Sequence, residues 1–175
     1  MLNNNYNLLG VMQGRLLKKY RDRYQAHPIN YWQDEFQIAK KLRLQCIEFI
    51  FDYNDYNLNP LMSSQGIQEI KKYTHDTSVL VKTICADYFM EAPLHTSDKE
   101  LTKNSINILK KLIVNSSKLN ITDIIIPCVD RASIKNNIDY ENFIDSIKRV
   151  AQEIDEYNVN LTLETDLSPD NFYKL

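Results

Sequence analysis

Val159-Asn160-Leu161-Thr162-Leu163-Glu164-Thr165-Asp166 is the stretch that decides the fold. Asn160, Thr162 and Glu164 alternate with Leu161 and Leu163, the period of two that gives a β-strand one polar and one apolar face. Leu167-Ser168-Pro169-Asp170 then reads as a helix start. Serine is the N-cap, proline at the first helical position gives up no hydrogen bond, and aspartate faces the positive end of the helix dipole. Glu164 therefore stands at the carboxyl end of a strand, where parallel α/β folds keep their ligand-binding groups.

Upstream, the same reasoning yields alternating elements. Phe143, Ile147, Val150, Ala151 and Ile154 predict one continuous helix, and Asp123 to Val129, DIIIPCV, predicts a parallel strand covered on both faces. Ser97-x-x-Glu100 reads as a capping box opening a helix with Leu101, Ile108, Leu109, Leu112 and Ile113 on its apolar stripe. A third strand, Val79 to Ala86, ends in Asp87-Tyr88-Phe89. Ile67, Ile70 and Tyr73 or Thr74 mark a second helix. Gln45 to Phe51 is a strand with Ile47, Phe49 and Phe51 on one face and Glu48 on the other. Trp32, Phe36, Ala39 and Leu42 share a helical face, and Asn7 to Gln13 forms a short first strand.

Strand and helix thus alternate through five strands, which means α/β with a parallel sheet, in a single domain over residues 1–175. A doubly wound open sheet and part of a closed (β/α)8 barrel both fit that order. Either way the carboxyl edge carries Gln13, Arg15, Asp52, Asp87, Tyr88, Cys128 and Glu164, with Glu48 deeper. With glycine only at positions 10, 14 and 66, neither a GxGxxG turn nor a phosphate-binding P-loop exists, which disfavours nucleotide binding. The long connection from Gly14 to Tyr31 carries Arg15, Lys18, Lys19, Arg21, Arg23 and His27. Loops of this length are lids or mobile solvated segments; Arg15 is placed to reach a ligand, the other cations to be solvated.

Composition closes off other classes. With 21 basic and 23 acidic residues the net charge is -2 and no like-charge run stands out, so neither nucleic acid nor a membrane surface is an expected partner. The N-terminus lacks the basic region of a signal peptide and no apolar run approaches a membrane span, which predicts a soluble, cytoplasmic protein. Cys46, Cys85 and Cys128 lie in apolar runs and read as reduced core thiols; His95 reads as a surface residue.

Met12-Gln13-Gly14-Arg15-Leu16, then Arg23-Tyr24-Gln25-Ala26-His27-Pro28, Trp32 and Glu35-Phe36, resembles the N-terminal signature of the sugar phosphate isomerase/epimerase family of the xylose-isomerase-like TIM-barrel superfamily. Cys46-Ile47-Glu48-Phe49 resembles that family's second strand and Leu161-Thr162-Leu163-Glu164 its fifth. The resemblance implies a partial (β/α)8 TIM barrel, five parallel strands of eight, from a sugar or sugar phosphate isomerase or epimerase. It also implies a divalent metal (Mn, Mg, Co or Zn) in the complete barrel, held by Glu, Asp, His and Glu from successive strands, the two glutamates moving a proton on a bound ketose. Glu164 matches the first of these and is implied to be both metal ligand and catalytic residue. Gln13, Arg15, Glu48, Asp87 and Tyr88 are implied to contact substrate. The DNA-repair endonuclease branch uses several histidines, and none stands at the third strand's exit.

The remaining ligands would fall after Leu175, so the sequence reads as an N-terminal portion, truncated, inactive by itself, and with unpaired edge strands that favour a homo-oligomer. Two alternatives stand beside this: a non-catalytic or partner-dependent partial barrel, and an unrelated α/β small-molecule binding domain.

Overall fold

Five strands form one parallel sheet in the order β1-β2-β3-β4-β5: β1 (Gly10–Met12), β2 (Cys46–Ile50), β3 (Leu80–Cys85), β4 (Asp123–Cys128) and β5 (Asn160–Thr165). The computed structural model describes residues 8–175. Asn7, where the first strand was expected to begin, and the opening residues on which the signal-peptide reading rests lie outside them. A doubly wound sheet reverses its strand order at a switch point, whereas sequential order is how a (β/α)8 barrel is built. The protein is therefore α/β, a partial TIM barrel.

Helices connect the strands: α1 (Asp34–Lys41), α2 (Ser64–Thr77), the short α3 (Tyr88–Glu91), α4 (Lys99–Ser117), α5 (Asn137–Lys148), α6 (Ala151–Tyr157) and, after β5, α7 (Pro169–Lys174). The sheet face bearing Ile47, Phe49, Ile84, Ile124 and Ile126 is fully buried with Phe36, Ile67, Ile70, Leu109 and Leu112 from the helices. Each such side chain contributes about 1.5–3 kcal/mol on burial. The opposite face carries Glu48, Thr83, Asp123, Thr162 and Glu164, half-buried or exposed. Two sheet faces of opposite character are what the alternation in β2 and β5 predicts.

Several local expectations are corrected. The expected helix through Phe143 and Ile154 is two helices, because Val150, buried and at φ -111° and ψ 0°, breaks the ladder after a tightened turn at Arg149. Asp98, not Ser97, caps α4: its carboxylate accepts from the N–H groups of Glu100 (3.0 Å) and Leu101 (3.1 Å). Leu42 leaves the apolar face of α1 because it sits at the C-cap and is 57% exposed. Ser168 and Pro169 do open α7 as cap and first residue. In β3 an extra residue shifts the register between Ile47–Val81 and Phe49–Ile84. That bulge turns Thr83 to the polar face, where its hydroxyl donates to Glu48 at 2.6 Å.

Candidate active-site cleft

A cleft of about 300 Å³ opens at the carboxyl edge of the sheet. Asp52 stands two residues past β2, Asp87 two past β3, Arg131 in the turn after β4, and Glu164 on the last pair but one of β5 opposite Pro127. They converge because parallel strands end on one edge and side chains two apart share a face. The long loop after β1 closes one side with Arg23 and Gln25, and Tyr53 lies beside them. The lining carries the carboxylates of Asp52, Asp87, Glu91, Asp130 and Glu164 against the two guanidinium groups of Arg23 and Arg131, so the cleft is electronegative.

Its carboxylates have different work. Asp52 is buried and spent: it pairs with Arg23 at 2.9 Å and accepts the backbone N–H of His27 at 2.8 Å, tying the loop to the end of β2. Glu91 pairs with Arg131. Burial pushes the Asp87 carboxyl up, the hydrogen bond from the Cys85 thiol (3.1 Å) and the Arg23 charge oppose that, and the Asp52 and Glu164 charges add to it. Burial first, then Asp87, raises the Cys85 thiol as well, so it is not a poised nucleophile. Glu164 is exposed to the cleft, and no hydrogen bond or ion pair to it occurs among the described residues.

The loop is pinned at three points. Besides the Asp52 bonds, the fully buried carboxylate of Glu35 accepts the N–H groups of Gly14 (2.7 Å) and Leu16 (3.1 Å). His27, expected in solvent, is buried between Trp32 and Phe49 with Nδ1 3.0 Å from the Gln13 side-chain oxygen. Burial lowers its pKa to about 3. The stretch Ala26-His27-Pro28 is buried, so this part of the connection is packed against the sheet, while Arg15, Lys18, Lys19 and Arg21 to Tyr24 are exposed.

Of the residues singled out in the sequence, the structure brings Asp87 and Glu164 together with Asp52 in the cleft lining. Glu48 lies on the same face closer to the start of the strands, hydrogen-bonded to Thr83. Gln13 is buried beneath the cleft, its oxygen accepting the Ile50 N–H at 2.9 Å. Tyr88 is buried among Phe51, Tyr53 and Tyr56. Arg15 is exposed one side chain away from the cleft, donating to Gln25 at 3.3 Å. Arg23, Gln25, Tyr53 and Arg131 line the cleft without having been singled out as site residues. Nothing in the run of loop cations marks Arg23 as the one that meets Asp52, while Tyr53 could have been found as the neighbour of an edge aspartate. His95, expected at the surface, is buried with its ring edge-on to Phe143.

Residues 36–173 match the family described as xylose isomerase-like TIM barrel. The chain belongs to this family. No protein of curated function matches the sequence. Among solved structures, a xylose isomerase domain protein from Planctomyces limnophilus has a TM-score of 0.68 at 11% identity, over 97% of this chain and 58% of that one. A D-psicose 3-epimerase from Clostridium cellulolyticum H10, solved with D-tagatose, has a TM-score of 0.66 at 18% identity, over 90% and 52%. A xylose isomerase-like TIM barrel protein from Mycobacterium smegmatis, in complex with magnesium, has a TM-score of 0.67 at 11% identity, over 95% and 59%. The chain spans about half the length of the structures it resembles. At these identities the likeness is one of fold. Among the described residues no three His, Cys, Asp or Glu side chains are grouped to hold a metal ion, and no helix is long and apolar enough to cross a membrane.

Proposed function

We propose that this xylose isomerase-like barrel serves a sugar isomerase or epimerase, and that Glu164 is its proton-transfer carboxylate. The observation that carries this is the placement of Glu164: at the carboxyl end of β5, on the polar face, in a cleft it shares with Asp52 and Asp87, with no structural partner of its own among the described residues. A carboxylate there is free to accept the proton of a C–H bond next to a ketone. The C–H electron pair then forms the C=C bond, the carbonyl π pair moves to oxygen, and the enediolate is reprotonated at the same or the adjacent carbon. Asp87, raised by burial, is suited to hold a proton and donate it toward a substrate oxygen. Sugar substrates fit this reading because the neighbour from Clostridium cellulolyticum was solved with D-tagatose.

A divalent cation belongs to the reading because another neighbour is a complex with magnesium. The described residues do not by themselves make such a site: Asp52 is held by Arg23 and His27, Glu91 by Arg131, and no third donor joins Asp87 and Glu164. A cation docking at Glu164 would need ligands beyond Asp87 and the other described side chains of the cleft. A cytoplasmic location is supported by three free thiols.

The test is deuterium incorporation. Incubated in D₂O with Mn²⁺ and a panel of ketoses, a closed barrel containing these five strands should place deuterium at the carbon beside the carbonyl and lose about 10²-fold or more of that rate in Glu164→Gln, whereas residues 1–175 alone are expected to be inactive. Exchange that proceeds unchanged in the variant removes Glu164 from the chemistry.

A further inference from the structure

The fold covers some of its tyrosine rings and leaves one bare in the cleft. Tyr24, Tyr31 and Tyr73 each carry a lysine ammonium 5.0 Å from the ring centroid, and Tyr20 an arginine at 5.5 Å. Tyr53 has no such cation among the described residues, and its hydroxyl makes no hydrogen bond to any of them. It is 40% exposed and is the one aromatic side chain among the described residues that line the cleft.

The bare ring is also held still. It packs on Tyr88, with centroids 5.2 Å apart and planes at 43°, and Tyr88 is buried against Phe51, Tyr56 and Phe89 at 5.2 to 5.5 Å. The Tyr88 N–H donates to the Phe51 carbonyl at 2.7 Å, which ties the exits of β2 and β3 together beneath the ring. Along the chain, Tyr53 is bracketed by two anchored aspartates: Asp52 is bonded to Arg23 and to the His27 N–H, and Asp55 pairs with Arg21. Part of the ring thus belongs to the core, and the rest is apolar surface kept in water in a lining otherwise rich in charge. Covering that surface is favourable for any ligand that brings apolar hydrogens to it and hydroxyl groups to the carboxylates around it.

A sugar ring is amphipathic in the matching way. Its hydroxyls point outward from its edge, while C–H bonds collect on a face, and the electron-rich face of an aromatic ring attracts their weakly positive hydrogens. We infer that Tyr53 is a specificity-determining residue, the surface on which the C–H face of an uncharged sugar ring lies, with the ring's hydroxylated edge turned to Asp87 and Glu164. This rests on the sugar reading above and narrows it. Ionised carboxylates accept hydrogen bonds from hydroxyls, and the Asn54 amide in the same lining both donates and accepts. Five carboxylates face two arginines, both already paired, so an anionic sugar is repelled. Free ketohexoses are mostly rings in water, so this is the form the cleft meets first. The preferred substrate class is then a neutral sugar with an unbroken C–H face on one side, and a flexible acyclic polyol, which has no fixed face, is bound poorly.

The test is saturation-transfer difference NMR of the protein against D-tagatose, D-fructose and sorbitol, the last an acyclic polyol equally rich in hydroxyls. Both ketoses should receive saturation, strongest at the C–H protons of one face, and sorbitol markedly less. Titrated by the same signal, Tyr53→Ala should bind the ketoses about tenfold more weakly, and Tyr53→Phe, which keeps the ring, should stay within about twofold of wild type. Because the side chain is partly exposed, an unchanged melting curve is expected for both variants and confirms that they fold. Ketose binding that survives at full strength in Tyr53→Ala overturns the assignment, as does sorbitol saturated as strongly as the ketoses. No transfer to either ketose in wild type overturns it as well. None of these outcomes decides the sugar reading, which stands or falls separately by deuterium exchange dependent on Glu164.

Discussion

β2 and β5 are both period-two strands ending at the same cleft, yet they are built to opposite ends. Around β2, Phe49 is fully buried against His27, Trp32 and Phe36, the loop folds over its exit, and Asp52, Gln13 and Glu35 use their polar atoms to hold backbone in place. Along β5 every second residue is exposed, Leu161 and Leu163 are half-buried, and Glu164 meets no partner among the described residues. One side of the cleft is thus a rigid wall whose polar groups are consumed by structure. The other is a loosely covered strand on which Asn160 and Thr162 bond Asp123 while Glu164 keeps its carboxylate unpaired among the described residues. Polar residues at a cleft edge are read correctly only when their partners are known: Asp52 and Glu164 look alike in the sequence, yet Asp52 is bonded to Arg23 and His27 while Glu164 has no partner among the described residues.

The largest effect should come from trimming the wall. Phe49→Ala removes a fully buried ring from the aromatic cluster and should cost about 3–5 kcal/mol in urea unfolding. Leu163→Ala, taken from a half-buried position against α5, should cost roughly a third of that, because its site is already partly solvated. Equal losses at the two positions would abolish the distinction between wall and edge.

The wall should also fail first in acid. His27 titrates at about 3 in the fold against 6.5 unfolded, because burial disfavours the imidazolium. The unfolded chain therefore takes up a proton from about pH 6.5 downward while the folded one does not, and stability present above 6.5 is lost as the pH falls toward 3, by on the order of a few kcal/mol. Glu35 works the other way. Its pKa is raised, by burial against the pull of the Gly14 and Leu16 N–H bonds, so its ionised form costs stability that returns as the pH falls through that raised value. His27→Gln should flatten the acid limb of stability against pH, measured as the urea midpoint from pH 7 to 4. A limb of unchanged slope would mean that the unfolding is led from elsewhere.

The fold was legible in the sequence because its signals are periodic. Ile47 and Phe49 against Glu48, and Leu161 and Leu163 against Glu164, reported both strands and both faces, and Ser168-Pro169 reported the start of α7. Strand order was not legible, since alternation of elements is shared by open sheets and barrels, and only the sequential pairing of β1 through β5 decides it. The bulge beside Thr83 and the break at Val150 left no mark because each depends on tertiary packing. In the cleft, Asp87 and Glu164 were legible from their strand-end positions. Arg23 was not, because pairing across 29 residues between a loop cation and Asp52 has no local pattern.

The smallest expected effect is the most telling about the edge. Glu164→Gln should change stability by less than about 0.5 kcal/mol, because the side chain is exposed and has no hydrogen bond or ion pair to lose among the described residues. It should nevertheless be felt by its neighbour. Glu164 is one of the charges that raise Asp87, after burial and the Asp52 charge, so removing it should lower the Asp87 pKa by a small amount, with burial holding most of the shift in place. Carboxyl ¹³C chemical shifts followed against pH in wild type and variant read this directly. A fall at Asp87 with no loss of stability is the signature of a carboxylate that communicates with the cleft by field alone and is dispensable to the fold. A clear loss of stability in Glu164→Gln would instead make β5 a second wall and Glu164 one more structural carboxylate like Asp52.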